Sequence, residues 1–277
     1  MTEMPPFTEA DASGTPFDAL VVVPMMRDRF PDLLDNYGYL ARSGDRVACI
    51  DCARAAPHLD AAKAMGWTVT DILLTHHHPD HIDGVEEMRD ATGAAVWGAR
   101  ADAHRLPRLD HALSDGDAVE IGAARGMVWD VPGHTVGHIA FVFPDPQGGI
   151  AFTGDSLMAA GCGRLFEGTP AQMHGALSRF SDMDGAMKIA SGHEYTGTNL
   201  RFAATVEPDN ADLTSRRDAL ERALADGQPS VPSTLDLERR TNLFLRCHVP
   251  AVKAGSGTRE QSDTDTFAAL RAVRDGF

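Results

Sequence analysis

Between positions 75 and 84 the chain reads THHHPDHIDG. Residues 76–81 hold four histidines and one aspartate, side chains that bind metal ions or move protons. The segment follows DILLT, an apolar run with the look of a buried strand. If the backbone stays extended beyond it, side chains alternate, so His76 and His78 share one side and His77 faces the other. Pro79 then fixes φ and removes a donor, turning the chain so that Asp80 and His81 point back into the same space. A packing role does not explain H-x-H-x-D-H at a strand end; metal binding does.

Four such groups exceed the needs of one ion, so further donors are sought at other strand ends. WDVPGHTVGH places His134 just beyond MVWDV, with His138 four residues later. Asp155 follows IAFTG, and the glycine before it permits a close approach. His193 follows KIASG. His76, His78, Asp80, His81, His134, Asp155 and His193 make a set of nitrogen and oxygen donors without a thiolate. That set fits two divalent ions sharing a bridging carboxylate, with coordination positions left open for catalysis. Zinc is the first expectation, and His/Asp ligation also admits iron or manganese. His138 is expected to orient a ligand. His58, His104, His111, His174 and His248 are expected to serve packing or surface roles. Cys49 and Cys52 form a C-x-x-C that could be redox-active or half a zinc site; with no second cysteine pair nearby, two small core-filling residues are expected.

The elements that must carry these groups alternate between short apolar runs and breaks. ALVVVPM, YGYLA, RVACI, DILLT, AAVWG, GMVWDV, HIAFVF and GIAFTGD read as strands, with helical patterns such as DGVEEMRDATG and TPAQMHGALSRFSDM between them. Layered α/β architecture follows over residues 17–193. Beyond 194 the pattern turns helical: Leu213, Leu220 and Leu224, then Phe267, Leu270 and Val273, recur at helical spacing. A small helical domain over 194–277 is expected. Residues 1–16, polar and rich in breakers, are expected to be a flexible leader.

A length of 277 residues, 43% hydrophobic and 23% charged, suits a soluble globular protein with a sizeable core. A net charge of −15 disfavours nucleic acid as a partner. Neither a secretory signal nor a membrane-length apolar run is legible, and four scattered cysteines do not make a disulfide framework. A cytoplasmic monomer is therefore expected. Residues 235–277 depart from the acidic trend, with seven Lys/Arg against six Asp/Glu.

The H-x-H-x-D-H segment at His76–His81, with the outlying His134, Asp155 and His193, resembles the metallo-β-lactamase superfamily. The resemblance implies an αββα sandwich with a dinuclear site at one edge. It implies His76, His78 and His134 on one metal, Asp80, His81 and His193 on the other, and Asp155 between them. GDSLMAAGCGRLFEGT, SGHEYTGTNLRFA, DNYGYLA, TNLFLR and LRAVRDGF further resemble glyoxalase II, the hydroxyacylglutathione hydrolases. That likeness runs from Phe17 onward and makes the helical segment a glutathione-binding domain. It implies hydrolysis of S-D-lactoylglutathione to glutathione and D-lactate, the second step of methylglyoxal detoxification. Arg164, Phe166, Tyr195, Arg271 and Arg274 would grip the glutathione, and Asp80 would aim the attacking hydroxide. Phe166 lacks the hydroxyl of the family's tyrosine, Arg274 stands where lysine is common, and Cys52 where proline is frequent. The alternative within the superfamily is a mononuclear-iron persulfide dioxygenase, which would leave Asp80, His81, His193 and the helical segment unexplained.

Overall fold

The structure is a computed structural model and describes residues 5–277. Its first half forms a seven-stranded sheet in sequential order, β1 (Thr8–Ala10), β2 (Ala19–Met25), β3 (Asn36–Ser43), β4 (Arg46–Ile50), β5 (Asp71–Leu73), β6 (Ala95–Ala99) and β7 (His111–Leu113). Strands β1 to β4 are antiparallel; β4 to β7 run parallel, with helices α1 (Ala55–Met65), α2 (Pro79–Ile82) and α3 (Val85–Thr92) in the crossovers. This is the usual split: hairpins serve antiparallel pairs, and parallel pairs need a long return.

The second half forms a six-stranded sheet. Its members are β8 (Ala118–Ile121), β9 (Ala124–Asp130), β10 (Ile139–Asp145), β11 (Gly148–Gly154), β14 (Lys188–Ser191) and β15 (Ser233–Thr234). Two short strands, β12 (Leu157–Met158) and β13 (Gly161–Cys162), pair beside it, and α4 (Pro170–Ser178) precedes β14. The two sheets face each other across one core in which Tyr39, Ile50, Leu73, Phe141, Phe143 and Phe152 are buried. Each such side chain contributes about 1.5–3 kcal/mol by leaving water. The expected αββα sandwich is the observed fold.

Helices α5 (Thr196–Val206), α6 (Ala211–Ala225), α7 (Leu235–Thr241), α8 (Pro250–Gly255) and α9 (Asp263–Asp275) follow. Asn210 caps α6, its side chain accepting from the Asp212 and Leu213 amides, and Ser262 with Asp265 forms a capping box at α9. These helices share a second core with the outer face of the second sheet and with α4, a cluster that joins Phe267, Leu270, Leu213 and Leu220 to Ile189 and Ala151 of the sheet and Met173 of α4. The helical segment is therefore fused to the sandwich by a continuous apolar layer, and it donates β15 to the sheet.

Part of the segment read as a leader meets the first sheet. Residues 1–4 lie outside the described residues, but Thr8–Ala10 pair with Leu20–Val22 as an edge strand. Lys188 holds Asp11 in an ion pair of 2.9 Å, and the Gly149 amide donates to Gly14 O at 2.7 Å. Phe7, Ala10 and Ala12 pack on the first core, which explains why this stretch is ordered against the sheet.

Candidate active site

The donor groups collect on one rim, where loops leave the carboxyl ends of strands in both sheets. His76, His78, Asp80 and His81 follow β5; His134 follows β9, Asp155 follows β11, and His193 follows β14. His76 and His78 turn to the same side, with His76 Nε2 3.1 Å from His78 Nδ1. His77 faces away, 3.1 Å from Asp102 Oδ2 and 3.7 Å from Glu167 Oε1. Pro79 opens the one-turn helix α2, which brings Asp80 and His81 back toward the rim.

Two triplets result. His76, His78 and His134 present ligand atoms within 4.8 Å of one another, as do Asp80, His81 and His193. Asp155 lies between them: Oδ2 is 3.4 Å from His134 Nε2 and 3.1 Å from His193 Nε2, while Oδ1 is 3.5 Å from His81 Nε2. Oδ1 is buried and has no hydrogen-bond partner. A buried carboxylate oxygen without a donor is costly, and a cation at this point would satisfy it. Two glycines make the crowding possible. Gly154 adopts φ +47°, and a Cβ there would fall 2.4 Å from Thr75 Oγ1. A Cβ on Gly192 would fall 2.4 Å from Asp155 Oδ1.

The remaining imidazole nitrogens are held from behind, which sets each ring's orientation. His134 Nδ1 donates to Arg164 O at 2.8 Å and His193 Nδ1 to Leu34 O at 3.0 Å. His76 Nδ1 donates to the Thr75 hydroxyl at 3.1 Å; that hydroxyl donates to Asp51 Oδ2 at 2.8 Å, and the same oxygen accepts from His81 Nδ1 at 2.8 Å. One carboxylate therefore orients a ring in each triplet. Asn36 donates to the Asp80 carboxylate at 3.1 Å and to its carbonyl at 2.9 Å. His138 stacks on His76 at 4.6 Å, and its Nε2 accepts from the Asp155 amide at 3.1 Å. Asp51 and Asn36 were not singled out in the sequence. The signal for Asp51 was its place one residue beyond the strand RVACI, the same kind of position as Asp155.

Protonation suits the two triplets differently. Burial and the neighbouring imidazoles push His76 well below its ordinary value, and burial with His134 and His77 brings His78 down to about 4. Both favour the neutral form, the one able to coordinate a cation. Burial would lower His81 too, but Asp155 and Asp51 raise it to about 10. Burial opposes ionisation of Asp155, yet His193 and His81 hold it well below the carboxylate range. The carboxylates thus favour positive charge beside them, which a divalent cation would also supply.

A cavity of about 590 Å³ opens beside the rim. His78, Asp80, His134, Asp155 and His193 line its floor, and Arg164, Phe166, Tyr195, Arg271 and Arg274 line its walls. Tyr195 stacks on His193 with ring centroids 5.1 Å apart. Phe166 is 65% exposed and edges onto His78 and His134. Arg274 donates to Asn199 Oδ1 at 3.1 Å. Arg271 differs from its neighbours: it is 4% exposed, donates from Nη1 to Cys162 O at 2.8 Å, and pairs with Asp275 at 2.9 Å.

Residues 32–193 match the model of the metallo-β-lactamase superfamily, and residues 194–277 match that of the hydroxyacylglutathione hydrolase C-terminus. A hydroxyacylglutathione hydrolase of Jannaschia sp. (strain CCS1) is 56% identical over 89% of this chain and 96% of its own. The chain belongs to the hydroxyacylglutathione hydrolase family. A second relative of that name, from Fuscovulum blasticum, is 54% identical over 93% of this chain and 98% of its own. The solved protein TTHA1623, in a di-iron-bound form, aligns with a TM-score of 0.54 and 25% identity, over 76% of this chain and 96% of that one. The match of residues 194–277 to the hydroxyacylglutathione hydrolase C-terminus favours that family over the persulfide dioxygenase.

Proposed function

We propose that this chain hydrolyses S-2-hydroxyacylglutathione thioesters, S-D-lactoylglutathione among them, to glutathione and the free hydroxy acid, as a cytoplasmic monomer. The observation that carries the reading is Asp155, which touches both triplets with one oxygen left unsatisfied at the floor of an arginine-walled cavity. His76, His78 and His134 would hold one divalent ion, Asp80, His81 and His193 the other, with Asp155 shared. Zinc is the first choice, and iron or manganese fit the same donors. When bound, such a pair supplies Lewis acidity and makes hydroxide available near neutral pH.

The chain's own groups do the rest. Asp80, fixed by Asn36, accepts a hydrogen bond from the attacking water and aims it at the thioester carbon. The water oxygen bonds to that carbon as it gives up its protons, by way of Asp80, to solvent; the carbon–sulfur bond breaks, and the products leave as carboxylate and glutathione thiolate. A thiol of pKa about 8.5 needs no proton donor to depart. Arg164 and Arg274 meet the glutathione carboxylates; Arg can do so through two parallel hydrogen bonds. Tyr195 and Phe166 offer ring faces and edges to the peptide. Arg271, with most donors engaged, shapes the wall more than it grips. A direct test combines metal analysis of the purified protein with an assay of S-D-lactoylglutathione hydrolysis. Two ions per chain and glutathione release support the reading; a fully metallated protein without thioesterase activity refutes it.

A further inference from the structure

A second group of side chains able to bind a metal shares no residue with the seven. Cys49, at the end of β4, Cys52 just beyond it, and His58 in α1 offer two sulfurs and a nitrogen within 4.8 Å of one another. All three residues are fully buried, and neither cysteine is in a disulfide. Three facts set them apart from core filling. His58 Nδ1 donates to Arg54 O at 2.9 Å, which leaves the lone pair on Nε2. That Nε2 is buried and makes no hydrogen bond of normal geometry; its polar neighbour is the Cys52 thiol. Gly38, in the middle of a buried strand, admits the ring: a Cβ there would fall 2.1 Å from Nε2.

We propose that Cys49, Cys52 and His58 bind one soft divalent d10 cation of the zinc class, at a site separate from the His/Asp rim. Thiolate donors select such ions over the harder ones. A cation about 2.3 Å from each sulfur and about 2.0–2.1 Å from the nitrogen needs donor atoms roughly 3.5–4 Å apart, a contraction of no more than about 1 Å here. Both thiols release their protons to solvent as the ion enters, so two thiolates and a neutral imidazole leave the assembly without net charge. Neutrality is what a fully buried site requires.

The test uses the full chain produced in cadmium-supplemented medium and dialysed. Wild type is expected to retain one more equivalent of Cd2+ than the Cys49→Ser/Cys52→Ser variant. It should also show thiolate-to-cadmium charge-transfer absorption in the ultraviolet that the variant lacks, while Cys162→Ser keeps both. Ions on the His/Asp rim contribute no such band, so loss of the rim site would not mimic this result. Equal ion counts, a wild-type spectrum without the band, or a Cys49–Cys52 disulfide in the purified protein each overturn the proposal. If the double variant does not fold, His58→Gln replaces it: a lost equivalent supports the site and an unchanged count overturns it.

Discussion

His81 Nδ1 lies 2.8 Å from Asp51 Oδ2, and both side chains are buried. Asp51 reaches that position from a backbone φ of +51°, a left-handed conformation that aspartate and asparagine tolerate better than other non-glycine residues. Through Thr75 the same oxygen also steadies His76. Asp51→Ala is expected to weaken metal binding by about 10–100-fold, the usual consequence of removing a group that orients a ligand. Asp51→Asn, which keeps an acceptor and the backbone preference, should lose less. Competition with a chelator reads the difference, and equal affinity in Asp51→Ala and wild type would remove Asp51 from the centre.

Asp155→Ala should cost both ions and thioesterase turnover together, the latter by about 10²–10³-fold or more. Asp155 faces members of both triplets, so neither remains intact without it. Normal turnover by a variant that retains one ion would refute its shared role.

The two C-terminal arginines should separate. Arg274 is half-buried on the cavity wall, its side chain donating to Asn199. Its replacement by alanine should raise KM about 10–100-fold, the worth of a lost charge-assisted contact, with kcat little changed. Arg271→Ala leaves the buried Cys162 carbonyl without its donor, so a stability loss of about 1–3 kcal/mol is expected as well. Denaturant midpoints beside steady-state kinetics distinguish these patterns; a purely kinetic effect at Arg271 would contradict its structural role.

Acid should loosen the clamp around His77. Arg105 holds the Glu167 carboxyl down to about 2, and Glu167 in turn accepts from the Val136 amide at 2.9 Å. A carboxyl whose folded value is depressed stabilises the fold above its unfolded value, about 4.3, and loses that contribution as pH falls toward about 2. The pair is near the surface, so the effect is about 0.2–1 kcal/mol. The gap in urea midpoint between wild type and Glu167→Gln should narrow as pH drops from about 5 to about 3. A gap independent of pH would show that the carboxylate does not contribute in this way.

Much of the rim was legible because its logic is local. Alternation along an extended backbone separates His77 from His76 and His78, and a proline turns Asp80 and His81 inward; the structure has both features. The long apolar strands were visible for the same reason. What escaped was set by distant partners. Asp51 looks like any polar residue ending a strand until Thr75 and His81 arrive from β5 and α2. His58 looks like an ordinary helical histidine until Gly38 opens room for it 20 positions earlier in the chain. β1, β7 and β15 are two or three residues long, too short to carry a periodic pattern, and pair only because a neighbouring strand offers an edge.

Each sheet is complete within its own stretch of chain, the first ending at Leu113 and the second beginning at Ala118, with the exposed turn Ser114–Asp117 between. Nicked in that turn, the protein would become two pieces, each carrying its own pleated layer and only part of the ion-binding set. Reassembly would then be readable as regained catalysis on mixing, and divalent ions would act as the clasp that makes the split form whole.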